Sequence, residues 1–392
     1  MTRLLGRLSL LGALAILSAC QMTAAGPGVG QAVAPPRHFI ADSLGPACLT
    51  DARGAGRSTA AARRALAALH DNHMQYIADL RRSTSLTVEK DAFAANWKPV
   101  LFNSYAAAAA QDPALARTII DGLVRLAQSG RYLDEPNLLS WQQARSLPAC
   151  YEAGPSAPCP THTPRFVTRM YANLMISAAV LDPYLTDADR AALRPWFDAA
   201  YRKFVRVDAT GNQHGIYDFG NMGMARLAYA QITGDMGIAR NELSFRRGDF
   251  LKRIEPSGYI DQNSFRGVRG FWYHTYGLDP ALSYALLARA WGVDFFADPA
   301  LGPRLRAAAA KTDLGVRDHA AFRAVGNRGD AYSTNPADTR DFVHQYALNL
   351  YMIADREFGI VLPRSPMHDR LARLESFTQI SGFSAGCYYS SR

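Results

Sequence analysis

Apolar side chains that recur every third or fourth residue, and hardly anywhere every second, restrict this chain more than any other feature. "STAAARRALAALHDNHMQYIADLRRS" (58–83), "PALARTIIDGLVRLAQSG" (113–130) and "RFVTRMYANLMISAAVLD" (165–182) all have that spacing, which lays an apolar face along a helix. Thr186-Asp187-Ala188-Asp189 reads as a capping box ahead of "AALRPWFDAAYRKFV", where Pro195 is expected to kink or split the helix. "NMGMARLAYAQITG" (221–234) ends on Gly234 as a helix C-cap does. Further helices are expected in 280–292, 338–359 and 366–376. Strand-like signals are confined to "FGIVLP" and "GFSAGCYYS", both late and short. About ten helices joined by short loops argue for antiparallel helix pairs in one large, mostly α domain. No strict repeat is visible. A helical toroid is one way to pack so many pairs, and it leaves a cleft at its centre.

The 392 residues suffice for a large core. A hydrophobic content of 48% and a charged content of 20% are those of a soluble globular protein, not a disordered or membrane-spanning one. Of the formal charge of +9, Arg3 and Arg7 supply two, so the chain without residues 1–19 carries +7. That excess is spread along the chain without a Lys/Arg block, so nucleic acid is not the expected partner, whereas an anionic polymer fits.

The start, "MTRLLGRLSLLGALAILSAC", has a basic end, an apolar run and then Leu17-Ser18-Ala19-Cys20. It resembles a bacterial lipoprotein signal. That resemblance implies that residues 1–19 are removed and that Cys20 is lipidated as the first mature residue. Gln21, rather than Asp, after the cysteine favours the outer membrane, facing the periplasm. No later stretch reaches the ~18–20 apolar residues of a membrane helix, so the lipid is the expected anchor. Residues 20–45, rich in Pro and Gly, read as a lipid-attached tether, and residues 46–392 as the folded domain.

Four cysteines remain, Cys48, Cys150, Cys159 and Cys387, an even number in an oxidising compartment. Cys150 and Cys159 bracket "YEAGPSAP" and would staple that loop, with Cys48 and Cys387 then joining the domain's ends; three pairings are open. No metal-spaced second pair lies nearby. His70 and His73 in "HDNH" are three apart, but with no third ligand signalled they read as a solvated helix face.

Two stretches carry chemistry. In "GNQHGIYDFGN" (211–221), Asn212, Gln213 and His214 stand where a loop enters a helix, a place for a cap or for a ligand. In "DQNSFRGVRGFWYHTYGLDPALSYALL" (261–287), Arg266, Arg269, Trp272, Tyr273, His274 and Tyr276 crowd into eleven residues. On a helix Arg269, Tyr273 and Tyr276 share one face, with Trp272 beside it and His274 directed elsewhere. Such aromatic stripes are core more often than site; the arginines among them weaken the core reading, because an unpaired Arg is costly to bury.

Asn-x-His followed by aromatics, then about fifty residues on an Arg-x6-Tyr helix, resembles the alginate lyase family and, nearby, the glucuronan lyases. The likeness covers residues 165–292. It departs at Gln213, where alginate lyases have Asn, and near Asn263, where a Glu is usual. It implies an all-α, incomplete (α/α) toroid with a groove for a polysaccharide. The residues it implies are Tyr276, His214 and Arg269, with Gln213 beside them.

The chemistry suits these side chains. A polysaccharide lyase removes the C5 proton of a uronate and expels the C4 oxygen. The ionised carboxylate makes that proton very weakly acidic, so a donor must neutralise it; Gln213 and Arg269 are suited to this. Asn212 would help. A phenol titrates near pH 10 and needs a positive neighbour to act as a base at neutral pH, which Arg269 would supply to Tyr276. His214 would be a base from the opposite sugar face, or a partner to Tyr276. Arg266, Lys98 and Tyr105 are candidates for a neighbouring carboxylate, and Tyr273 and Trp272 for stacking on sugar rings. No cofactor or metal is called for, and a monomer is expected.

The leading expectation is therefore an exported lyase acting on alginate or polymannuronate, with glucuronan or another polyuronate as runner-up. A glycoside hydrolase would need two facing carboxylates, and near the motifs only Asp218, Glu255 and Asp261 are available. A non-catalytic glycan-binding lipoprotein would keep the same groove.

Overall fold

The helical spacing is realised as twelve α-helices with no strand among the described residues; a lone antiparallel bridge joins Ile254 and Ile260. The computed structural model describes residues 58–82, 88–133, 162–205, 216–261, 263–267, 270–324, 348–363, 385 and 389. The helices are α1 (Thr59–Asp71), α2 (His73–Arg82), α3 (Val88–Ala109), α4 (Pro113–Gln128), α5 (His162–Val180) and α6 (Asp187–Ala200). They continue as α7 (Ile216–Thr233), α8 (Met236–Arg253), α9 (Gly270–Ala290), α10 (Gly302–Arg317), α11 (His319–Arg323) and α12 (Leu348–Phe358).

Local chemistry sets the helix ends. Ser58 accepts from the Ala61 N–H at 2.9 Å, and Asp112 accepts from that of Leu115 at 3.0 Å ahead of Pro113. The expected capping box is present at Thr186 and Asp189, and Arg117 of α4 clamps the same Asp189 carboxylate at 2.8 and 2.9 Å. Gly234 follows α7 at φ +72°, where a Cβ would be strained.

Three expectations are corrected. The 58–83 helix breaks at Asn72 into α1 and α2. Helix α6 is not split at Pro195, the expected kink being the remaining option; Trp196 and Phe197 after it are buried in the core, and a π-helical turn follows at Tyr201–Val205. "FGIVLP" forms no strand: Gly359, at φ +67°, and Ile360 donate back to the carbonyls of Asp355 and Ala354, closing α12 with a left-handed glycine cap. Of "GFSAGCYYS" only Ala385 and Tyr389 are described, both helical, and 366–376 lies outside the described residues.

Alternate helices form one row in which each packs on the next: α1, α3, α5, α7, α9 and α12. The helices between them pack onto this row, α4 on α1 and α3, α8 on α7, α10 on α9. This is the two-layer alternation of the expected (α/α) toroid. The row supplies most of the core, and α3, α5, α7 and α9 are buried on nearly every side over most of their described length. Asp279 of α9 accepts from the Leu350 N–H at 2.8 Å and Asn349 donates to Ser283 at 3.0 Å, which ties α12 to the row.

Candidate active site

Helix α9 begins ten residues before the expected start, so the aromatic motif and the apolar run after it form one helix. From Phe271 to Ala288 every residue is buried except Trp272, Tyr273 and Tyr276, which share a face at helical spacing. Their rings are in contact range, with Trp272 centroids 4.6 Å from Tyr273 and 5.8 Å from Tyr276. The Arg266 guanidinium lies 4.1 Å from the Tyr273 ring centroid, a cation–π pair. Pro280 has no N–H to offer the carbonyl of Tyr276 four residues earlier, so that carbonyl goes without its usual helical bond.

His274, two residues before Tyr276, turns the other way. Ser264 accepts from the Ile260 N–H at 2.7 Å and meets His274 Nδ1 at 2.9 Å, while His274 Nε2 lies 3.1 Å from the Ala308 carbonyl. A carbonyl can only accept, so the proton is on Nε2, and Ser264 donates to Nδ1. Burial is the main cause that lowers the imidazole to about 4; it stays neutral and pins α9 to α10.

Helix α5 offers a second opening. From Phe166 to Asp182 every residue is buried except Arg169. Its Nη2 donates to the Tyr276 phenol oxygen at 3.2 Å, and its guanidinium carbon lies 5.6 Å from the Phe166 ring centroid. Helices α5 and α9 both pack on α7. The one accessible side chain in this described stretch of α5 thus meets the accessible face of α9. Arg169 was not among the residues singled out from sequence; its one signal is that it is the sole charge between Arg165 and Asp182.

The other expected residues separate. Lys98 is half-buried on α3. Tyr105 is fully buried in the core, so the expectation that it meets a substrate carboxylate is corrected: its helix is enclosed on all sides at that level. Asn212, Gln213, His214 and Arg269 lie outside the described residues, as do Cys20, Cys48, Cys150, Cys159 and Cys387. His70 and His73 both face Arg131, whose Nε lies 2.9 Å from His73 Nδ1, so they are not a solvated face. Among the described residues no three His, Cys, Asp or Glu side chains are grouped to hold a metal, and no helix is long and apolar enough to cross a membrane. A cavity of about 230 Å³ lies between α1 and α4, lined by Arg63, Thr118 and Arg125 among others, on helices that carry none of the motif residues.

Residues 165–322 match the alginate lyase family model, a span from α5 to α11 that contains both motifs. That segment belongs to the alginate lyase family. The family is one of polysaccharide lyases, and its match extends past the expected limit at 292 to take in α10 and α11. Among solved structures, alginate lyase A1-III of Sphingomonas species A1 is similar at 16% identity and a TM-score of 0.56, over 89% of this chain and 98% of that one. A Tyr→Phe variant of alginate lyase A1-III complexed with tetrasaccharide matches at 16% identity and a TM-score of 0.55, over 76% of this chain and 75% of that one. At this identity the likeness is one of fold. No curated protein sequence matches the chain. The lyase segment therefore holds both accessible points, Arg169 and Tyr276, while α1 to α4 lie before it.

Proposed function

We propose that the chain is an exported polysaccharide lyase that cleaves a polyuronate by β-elimination, with alginate or polymannuronate as substrate. The observation that carries this reading is the family match over residues 165–322, which spans both motifs. The half-buried face of Trp272, Tyr273 and Tyr276 on an otherwise enclosed stretch of α9 supports it, as does the tetrasaccharide complex of the similar fold.

In this reading the Tyr276 oxygen takes the C5 proton of the uronate. The C5–H electrons become the C4=C5 double bond, and the C4–O electrons leave on the glycosidic oxygen. The same phenol returns a proton to that oxygen when both groups lie on one sugar face. Gln213 and Arg269 neutralise the carboxylate, which otherwise opposes charge at C5. His214 assists at the opposite face. Tyr273 and Trp272 flank the phenol, where rings stack on sugars.

The test is incubation with purified alginate, polymannuronate and glucuronan while the near-ultraviolet absorbance of unsaturated ends is followed. The wild type should produce rising absorbance, and Tyr276→Phe should lower the rate by about 10²–10⁴-fold while still binding polymer. Reducing ends without absorbance would mean hydrolysis; binding with neither would mean a glycan-binding protein. A Tyr276→Phe variant with full activity would remove that phenol from the mechanism.

A further inference from the structure

We propose that Arg169 of α5 is a positioning residue for Tyr276, holding the phenol in its reactive orientation and stabilising negative charge on its oxygen during turnover. This rests on Tyr276 being the base proposed above. The carrying geometry is the donation from Arg169 Nη2 to the phenol oxygen at 3.2 Å, within the ordinary range for an N–H···O bond.

Three further features make this contact a built one. Arg169 is the only residue between Phe166 and Asp182 that is not buried, so the cation sits at the one opening in that described stretch of α5. A guanidinium on a helix enclosed elsewhere is expensive to keep unless it meets a partner. The backbone beneath it is also fixed. Asn173 donates to the Arg169 carbonyl at 2.7 Å, and Ser177 donates to the Asn173 carbonyl at 2.8 Å, a buried polar ladder along the same face. The contact joins residues 107 apart in sequence, through two helices that share α7 as neighbour, so the relative placement of α5 and α9 sets where the phenol points. A guanidinium is always charged and donates from a rigid fork, which suits it to an oxygen that gains and loses charge in each turnover. Lysine would keep the charge but not the fork.

The experiment compares wild type, Arg169→Lys and Arg169→Met on the polyuronate that the wild type cleaves best. Thermal unfolding serves as the folding control, and Arg169→Lys keeps the charged stem should Arg169→Met fail to fold. Loss of an oriented donor to a reacting oxygen lowers kcat by roughly 10²-fold, and KM should stay within about threefold of wild type. Arg169→Lys should fall between the two. Guanidinium ion added at millimolar concentration should restore part of the kcat of a third variant, Arg169→Ala, an effect that a merely structural side chain would not produce. A folded Arg169→Met with unchanged kcat overturns the proposal. So does a raised KM at unchanged kcat, which would make Arg169 a substrate contact independent of the phenol. The two readings fail differently: no unsaturated product from wild type on any polyuronate removes the lyase reading and this inference with it, whereas an active wild type with an indifferent Arg169 removes the inference alone.

Discussion

Two residues apart on α9, Tyr276 and His274 show how one helix turn separates chemistry from scaffold. Tyr276 projects from the accessible face toward Arg169, and His274 is enclosed between Ser264 and the Ala308 carbonyl. Because burial lowers His274 from its ordinary 6.5 to about 4, the folded chain resists a proton that the unfolded chain accepts. The sign follows directly. Above pH 6.5 both states are neutral and the full stability is present; as pH falls from 6.5 toward 4, stability is lost at up to about 1.4 kcal/mol per unit. Below 4 this group adds no further slope. His274→Gln should be less stable at pH 7, yet lose less stability than wild type between pH 7 and pH 4.5 in urea titrations. An equal acid slope in both proteins would mean that His274 does not titrate as described. The sequence already directed His274 away from the site, because its angle on the helix differs from that of Tyr276 by two residues. Arg169 was hidden: no local pattern announces a partner 107 positions away.

At the scale of elements, α8 shows why some helices escaped the sequence. Its buried side carries Glu242 and Arg246 as well as Leu243 and Phe250, so the apolar period is broken by charge. Glu242 accepts from Arg246 Nε at 3.0 Å and from Arg226 Nε of α7, while Arg226 Nη1 donates to the Val205 carbonyl at 3.0 Å. Burial pushes the Glu242 carboxyl up, but the two guanidiniums outweigh it and hold the group below its ordinary range. The cluster is tight. A Cβ on Gly223 of α7 would stand 2.6 Å from the Glu242 carboxylate, so a larger residue there would have to displace the ion-paired side chains. Asp249 also lies 3.5 Å from Arg246 Nη1, but Glu242 is the acid that both guanidiniums share, and Glu242→Gln should destabilise the protein by about 3–5 kcal/mol. Chemical denaturation measures this, and a loss below about 1 kcal/mol would show that water reaches the cluster. Helix α3 escaped for the opposite reason: Val100 to Ala107 are all buried, so no polar face marks a helical period.

For the whole molecule, among the described residues Arg169 and Tyr276 meet between α5 and α9, two members of a row whose described side chains are mostly core. The tether and anchor expected from residues 1–45 would hold this body at a membrane surface. Metabolic labelling with a fatty acid should mark the wild type and leave Cys20→Ala unlabelled; label retained on Cys20→Ala would exclude that cysteine as the anchor. The all-helical class, the capping box at Thr186 and the Gly234 stop were legible from sequence, because each depends on contacts within a few residues. So was the family, because Asn-x-His and Arg-x6-Tyr keep their order and spacing along the chain. The row of alternate helices, the burial of Tyr105, the cluster at Glu242 and the donation of Arg169 to Tyr276 were decided by tertiary structure alone. Each depends on which helix faces lie together, a long-range packing outcome that no local periodicity encodes.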